Sequence, residues 1–156
     1  MNASKNTSIY LTSKDSNNRL EKISESEISI DSKVELKTIR IHKDRCRQNI
    51  LGFGGAFTEA SASIYDQLDI NKKSEIIEAY FGKNGNQYNM GRTHINSCDF
   101  SLGNYALCET EDPELTDFSI RRDQKMLIPF IKAALKKASS PIYLMASPWS
   151  PPPWMK

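Results

Sequence analysis

Apolar and polar positions change their rhythm near residue 50. Before it the apolar residues come in short stretches broken by turn formers. Ser8–Thr12 reads as a strand, and Ser13-Lys14-Asp15-Ser16-Asn17-Asn18 as the turn that follows it. Across Lys33–Lys37 apolar and charged residues alternate strictly, as on a half-buried antiparallel strand, and Ile39–Ile41 supplies another short run. After Ile50 the segments lengthen. Leu51-Gly52-Phe53-Gly54-Gly55-Ala56 is an apolar, glycine-rich strand end. A helix is predicted next, with Ile76, Ile77, Tyr80 and Phe81 on one face, Asn71 as its N-cap and Gly82 as its stop. Tyr88–Ser97 reads as a strand, and a polar loop runs on to Phe118. Leu127, Ile131, Ala134, Leu135 and Ala138 then recur at helical spacing, with Pro129 either opening that helix or kinking it. The apolar run Ile142–Ala146 predicts a strand buried on both faces of a parallel sheet.

The order is a β-rich lead of residues 1–50, then β, α, β, α, β over residues 51–156. Such alternation implies right-handed crossovers and a parallel sheet. Composition adds limits rather than direction. With 38% hydrophobic and 26% charged residues the chain is that of a globular protein. Its 21 basic and 19 acidic residues nearly cancel, so no electrostatic case exists for nucleic acid. No apolar run approaches the roughly 20 residues that span a bilayer. The polar start at Met1–Asn6 lacks the apolar core of a signal peptide. Cys46, Cys98 and Cys108 form neither a CxxC pair nor an even set. A reducing, cytoplasmic setting is therefore expected, with no metal site and no cofactor.

Three segments carry candidate chemistry. The glycine cluster Gly52–Gly55 has Phe57 where a dinucleotide fingerprint needs its third glycine, and no Lys-Ser/Thr follows as in a P-loop. Close approach of strand backbones explains those glycines better. In Arg92-Thr93-His94-Ile95-Asn96-Ser97-Cys98-Asp99, polar side chains crowd a strand bound for the interior. A buried Arg92 should face a carboxylate. Asp99 falls where a parallel strand yields to its βα loop, the end at which barrel sites are built. On the residues alone, a structural bridge from Arg92 and a loop-capping Asp99 fit equally well, and His94 reads as a hydrogen-bonded core residue. The third segment, Ser147–Trp154, sets Trp149 and Trp154 among prolines after an apolar strand. Indoles stack on sugar faces. A ligand for a proline-binding domain and a simple core cap are the competing readings, the former disfavoured by the preceding buried strand.

At these segments the chain resembles the glucosylceramidase branch of glycoside hydrolase family 30. The matching stretches are GFGGAFTEA at 52–60, YNMGRTHINSCDFS at 88–101 and IYLMASPWSPPPWMK at 142–156. The resemblance implies a (β/α)₈ TIM barrel beside a β-sandwich. Residues 1–50 would contribute the first part of the sandwich, and residues 51–156 barrel strands one to three. It also implies a retaining mechanism on β-glucosides, glucosylceramide among them, with two glutamates on later strands. By that correspondence Asp99 binds glucose hydroxyls, Trp149 lines the glucose site and Arg92 supports the nucleophile. These 156 residues stop before either glutamate, so the chain alone is expected to be inactive. A non-catalytic carbohydrate-binding or interaction module is the alternative.

Overall fold

The computed structural model describes residues 8–23, 41, 42 and 44–156. The strands expected over Lys33–Lys37 and at Ile39 and Arg40 lie outside the described residues, and Ile41 is exposed and outside any strand. The chain divides into two units, one up to Gln48 and one from Asn49 onward.

In the first unit β1 (Tyr10–Leu11) and β2 (Glu21–Lys22) form an antiparallel hairpin, with Tyr10 opposite Lys22 and Leu11 opposite Glu21. The turn-rich residues between them close as the composition predicts. Arg19 organises that turn by donating Nη1 to the carbonyls of Ser13, Ser16 and Asn18 at 2.8–3.0 Å.

The second unit is an α/β layer pair. Its strands β3 (Gly54–Phe57), β4 (Met90–Ile95) and β5 (Tyr143–Pro148) form a parallel sheet in the order β3-β4-β5. Helices α1 (Glu59–Gln67), α2 (Ile70–Phe81) and α3 (Leu127–Lys137) connect them, so the order is β-α-α-β-α-β rather than strict alternation. Helix α1 escapes sequence reading because little of it is apolar. Ala62, fully buried, makes its closest packing, while Ile64 stays 62% exposed. Its start is nonetheless well marked. Thr58 Oγ1 accepts from the Ser61 N–H (3.1 Å), and Ser61 Oγ accepts from the Thr58 N–H (3.1 Å), a reciprocal capping box.

Two helix starts differ from expectation. The cap of α2 is Asp69, not Asn71, because the Asp69 carboxylate accepts from both the Asn71 and Lys72 N–H groups at 2.9–3.0 Å. Gly82 does end that helix. Pro129 is neither the first residue of α3 nor a break in it. As the third helical residue its missing N–H falls among first-turn donors that have no intrahelical acceptor.

The core lies between sheet and helices: Phe57 from β3, Ala62 from α1, Ile77 and Phe81 from α2, and Leu127, Ile131 and Ala134 from α3. Phe57 is its pivot, stacked on Phe81 (centroids 5.7 Å apart) and edge-on to Phe130 (5.3 Å). Glycine is required beneath it. A Cβ at Gly91 would stand 2.7 Å from the Phe57 ring, and one at Gly54 would strike the Met90 carbonyl of the next strand. Close strand approach is therefore what these glycines provide.

Parity sets the two faces of the sheet. Gly55, Phe57, Gly91 and Thr93 share the helix side, while Ala56, Arg92, His94 and Met145 share the other. The expected burial of β5 is not met. Tyr143 is 68% exposed, Leu144 42% and Met145 56%. Leu144 on the helix side and its neighbours on the opposite face all lack a covering element among the described residues, because β5 is an edge strand of this sheet.

Candidate functional site

Because the three strands run parallel, their C-terminal ends lie along one edge, and the segments leaving them converge there. A cleft of about 270 Å³ opens at this edge, lined by Thr58 after β3, Arg92 and His94 of β4, Cys98, Asp99 and Phe100 of the following loop, and Trp149 after β5. The three residues singled out from sequence, Arg92, Asp99 and Trp149, thus meet at one place although 57 positions separate Arg92 from Trp149.

Arg92 sits opposite Ala56 and Met145 in the sheet register. The small Ala56 leaves room above it. Its guanidinium carbon lies 4.7 Å from the Trp149 ring centroid, a cation–π contact. The expected carboxylate partner is not found for Arg92 among the described residues. Arg92 is exposed, so water solvates its charge and no buried counter-ion is demanded. Trp149 is held by its backbone, whose N–H donates to the Ile95 carbonyl (3.2 Å) and extends the β4–β5 ladder. Asp99 lies exposed on a tight turn in which the Cys98 N–H donates to Ser101 Oγ (3.0 Å) and the Ser101 N–H to the Cys98 carbonyl (3.0 Å).

His94 is the buried member, 7% exposed. Its Nδ1 is 2.7 Å from the Asn96 carbonyl oxygen, which can only accept, so Nδ1 carries the proton. Tyr105 Oη lies 3.4 Å from the same nitrogen, and its own proton goes to Asp123 Oδ1 at 2.9 Å. Nε2 is buried without a hydrogen-bond partner among the described residues. The reading of His94 as a hydrogen-bonded interior residue holds for Nδ1.

Sequence reasoning passes over several residues that organise this edge. Asn96 adopts the left-handed region (φ 63°), which asparagine tolerates, and uses both ends of its amide. Oδ1 accepts from the Leu107 N–H (2.9 Å), and Nδ2 donates to the Ser150 carbonyl (3.1 Å), tying the Asp99 loop to the Trp149 loop. An asparagine, a turn-tolerant residue, near the end of the Tyr88–Ser97 run is the available signal. Glu59 and Arg122 are the second case. Arg122 donates Nε to Glu59 Oε1 (2.7 Å) and Nη2 to Oε2 (3.1 Å), although 63 residues separate them. The Leu102 N–H adds a third bond to Oε2 (2.8 Å). Burial alone would push the Glu59 carboxyl up. The Arg122 hydrogen bond, the Leu102 N–H and the Arg122 charge outweigh it and hold the group below its ordinary value. Burial and the Asp123 carboxylate push the Tyr105 phenol well above its ordinary range, so it remains a proton donor.

A parallel α/β sheet with a cleft at its strand ends defines the class: part of an α/β barrel, with the cleft at the end where barrels place their sites. Residues 50–156 match the Glycosyl hydrolase family 30 TIM-barrel domain, and the chain belongs to that family. It is 46% identical over 76% of its length to putative glucosylceramidase 3 of Caenorhabditis elegans, and 42% identical over 70% to lysosomal acid glucosylceramidase of Mus musculus. It spans 23% and 22% of those two proteins. Among solved structures it is similar to SrfJ of Salmonella typhimurium (TM-score 0.66, 42% identity), covering 70% of this chain and 24% of that one.

Proposed function

We propose that these residues form the glucose-binding wall of a retaining β-glucosidase that acts on glucosylceramide-type β-glucosides. The observation that carries the reading is the convergence of Arg92, Asp99 and Trp149 on one cleft at the strand ends. Each contributes what glucose requires. The Asp99 carboxylate accepts from sugar hydroxyls, bonds that are strong because the acceptor is charged. The Trp149 indole offers an apolar face for the C–H side of the ring. Arg92, stacked on that indole, places a fixed positive charge beside the cleft, which favours the ionised form of a neighbouring carboxylate.

Retention requires two carboxyl groups about 5–5.5 Å apart, one as acid/base and one as nucleophile. In this reading both are glutamates on strands beyond β5, and residues up to 50 contribute to a flanking β-sandwich. Glu59 is an unsuitable substitute, since both of its oxygens are engaged by Arg122 and Leu102. The 156 residues alone are therefore expected to hydrolyse aryl β-glucosides at background rate. A steady-state assay across repeated purification steps checks this, and turnover that co-purifies with the chain defeats it. The test of the positive half is a completed barrel, in which the remaining strands of a family 30 relative follow these residues. It should hydrolyse aryl β-glucosides and glucosylceramide. Hydrolysis of neither by a folded completed barrel counts against the reading.

A second reading of the same cleft, lined by Arg92, Asp99 and Trp149, is a non-catalytic sugar-binding module. Glucose binding by the isolated chain as a folded monomer would promote it.

The Glu59–Arg122 pair gives a pH prediction in the completed barrel. The Glu59 carboxyl is depressed in the folded state, so its stabilisation is present above the ordinary glutamate range, near 4.3. It is lost as pH falls through that range toward the folded value. Breaking a buried pair costs about 3 kcal/mol at the low end of the usual range, appropriate where Arg122 keeps 36% side-chain exposure. Glu59→Gln should therefore lower stability by about that amount near neutral pH. The gap from wild type should shrink as pH falls below about 5, read by denaturant melts at each pH. A gap independent of pH would contradict the assignment.

A further inference from the structure

The loop from Asn96 to Leu102 has no regular structure, yet it is pinned at both ends. On the near side the Ser97 N–H donates to the Tyr105 carbonyl (3.0 Å), and Asn96 Oδ1 takes the Leu107 N–H (2.9 Å). On the far side the Ala60 N–H, in the first turn of α1, donates to the Phe100 carbonyl (3.0 Å), while the Leu102 N–H reaches Glu59 Oε2 (2.8 Å). Asp99 is the exposed residue between the two clamps.

One of the two far-clamp bonds is accepted by the Glu59 carboxylate. This side chain is 5% exposed and opens α1 one residue after the capping Thr58. The Arg122 fork fixes the carboxylate plane, and the Arg122 guanidinium lies 4.2 Å over the Tyr105 ring. Tyr105 in turn closes the near clamp through its carbonyl. One ion pair thus braces both ends of the turn that presents Asp99, while neither partner lines the cleft.

The geometry points to Glu59 and Arg122 as positioning residues that set the Asp99 carboxylate for a sugar hydroxyl. The inference rests on the reading of the cleft as a glucose site. Asp99 is three residues from Leu102, so releasing the Leu102 N–H frees the turn itself rather than a remote segment. Displacement of a binding group by about 1 Å costs up to about 100-fold in rate. A purely structural pair would instead lower stability without touching what Asp99 does.

A double-mutant cycle in the completed barrel separates the two, with kcat/KM on an aryl β-glucoside measured well below the Tm of every variant. Asp99→Asn should lower kcat/KM about 30-fold, as expected when a charge-assisted hydrogen bond is weakened. Glu59→Gln should lower it about 10-fold, and the double variant should fall within about twofold of Asp99→Asn alone, because the pair acts through Asp99. Arg122→Lys, which keeps the charge but loses the fork, should lie between wild type and Glu59→Gln. If Glu59→Gln does not fold, Arg122→Lys with Asp99→Asn supplies the same cycle. Losses that multiply, or a Glu59→Gln enzyme with unchanged kcat/KM, overturn the positioning role while leaving the glucose site standing. An Asp99→Asn enzyme with unchanged kcat/KM overturns both.

Discussion

Expressed alone, the 156-residue chain is expected to aggregate, to oligomerise or to stay partly unfolded. The cause is the surface around β4 and β5. Met90 (37% exposed), Tyr143 (68%) and Met145 (56%) stand on the face opposite the helices, and Leu144 (42%) is uncovered on the helix side. Phe53, before β3, is 68% exposed. Burying a large apolar side chain is worth about 1.5–3 kcal/mol, so five of them roughly half uncovered forgo about 5 kcal/mol. A typical domain has only about 5–15 kcal/mol of net stability. Strands β3 and β5 also lie at the two sheet edges with no outer strand paired to them among the described residues, which templates pairing with other chains. Light scattering with thermal melting at low micromolar concentration is the measurement. A monomer with one sharp cooperative transition would contradict the expectation and would favour the independent binding module. Completing the barrel should remove the effect, since the added strands pair the edges and cover the open face.

The second large effect is expected at Arg92 in that completed barrel. Arg92→Ala removes a cation that the structure sets in the cleft beside Asp99 and Trp149. A nucleophilic carboxylate next to it would lose an opposite charge worth one to three pKa units, and its ionised fraction with it. The indole would also lose the guanidinium stacked on it, a contact of about 0.5–1 kcal/mol at an exposed site. Together these predict a fall in kcat of about 100-fold or more, with the acid side of the pH–rate profile moved upward. Trp149→Ala should act differently, raising KM for glucosides about 10-fold with a smaller change in kcat, because stacking serves bound substrate and transition state alike. Steady-state kinetics of both variants across pH is the check. Equal and negligible effects at the two positions would remove both residues from the site.

Local pattern was enough for much of this molecule. Composition marked the strand around Tyr10 and the turn after it, though not the partner strand Glu21–Lys22, and helical spacing marked α2 and α3. The three parallel strands followed from apolar runs separated by helices. That Arg92, Asp99 and Trp149 line one cleft follows from their places on or just after strands of this sheet, since parallel strands bring such positions to one edge whatever their separation in sequence. Other features depended on contacts between residues far apart. Helix α1 is packed by one fully buried alanine, a signal too small to read without its neighbours. The Glu59–Arg122 fork joins positions 63 apart across a polar loop, and no local rule selects one arginine from its neighbour Arg121. Arg92 takes an indole rather than a carboxylate because the tertiary arrangement leaves it solvated. The exposure of β5, an interior-type strand without its outer neighbour among the described residues, has a related cause. Hydrophobicity along a strand states what must be covered, whereas only the neighbours in the sheet decide whether it is.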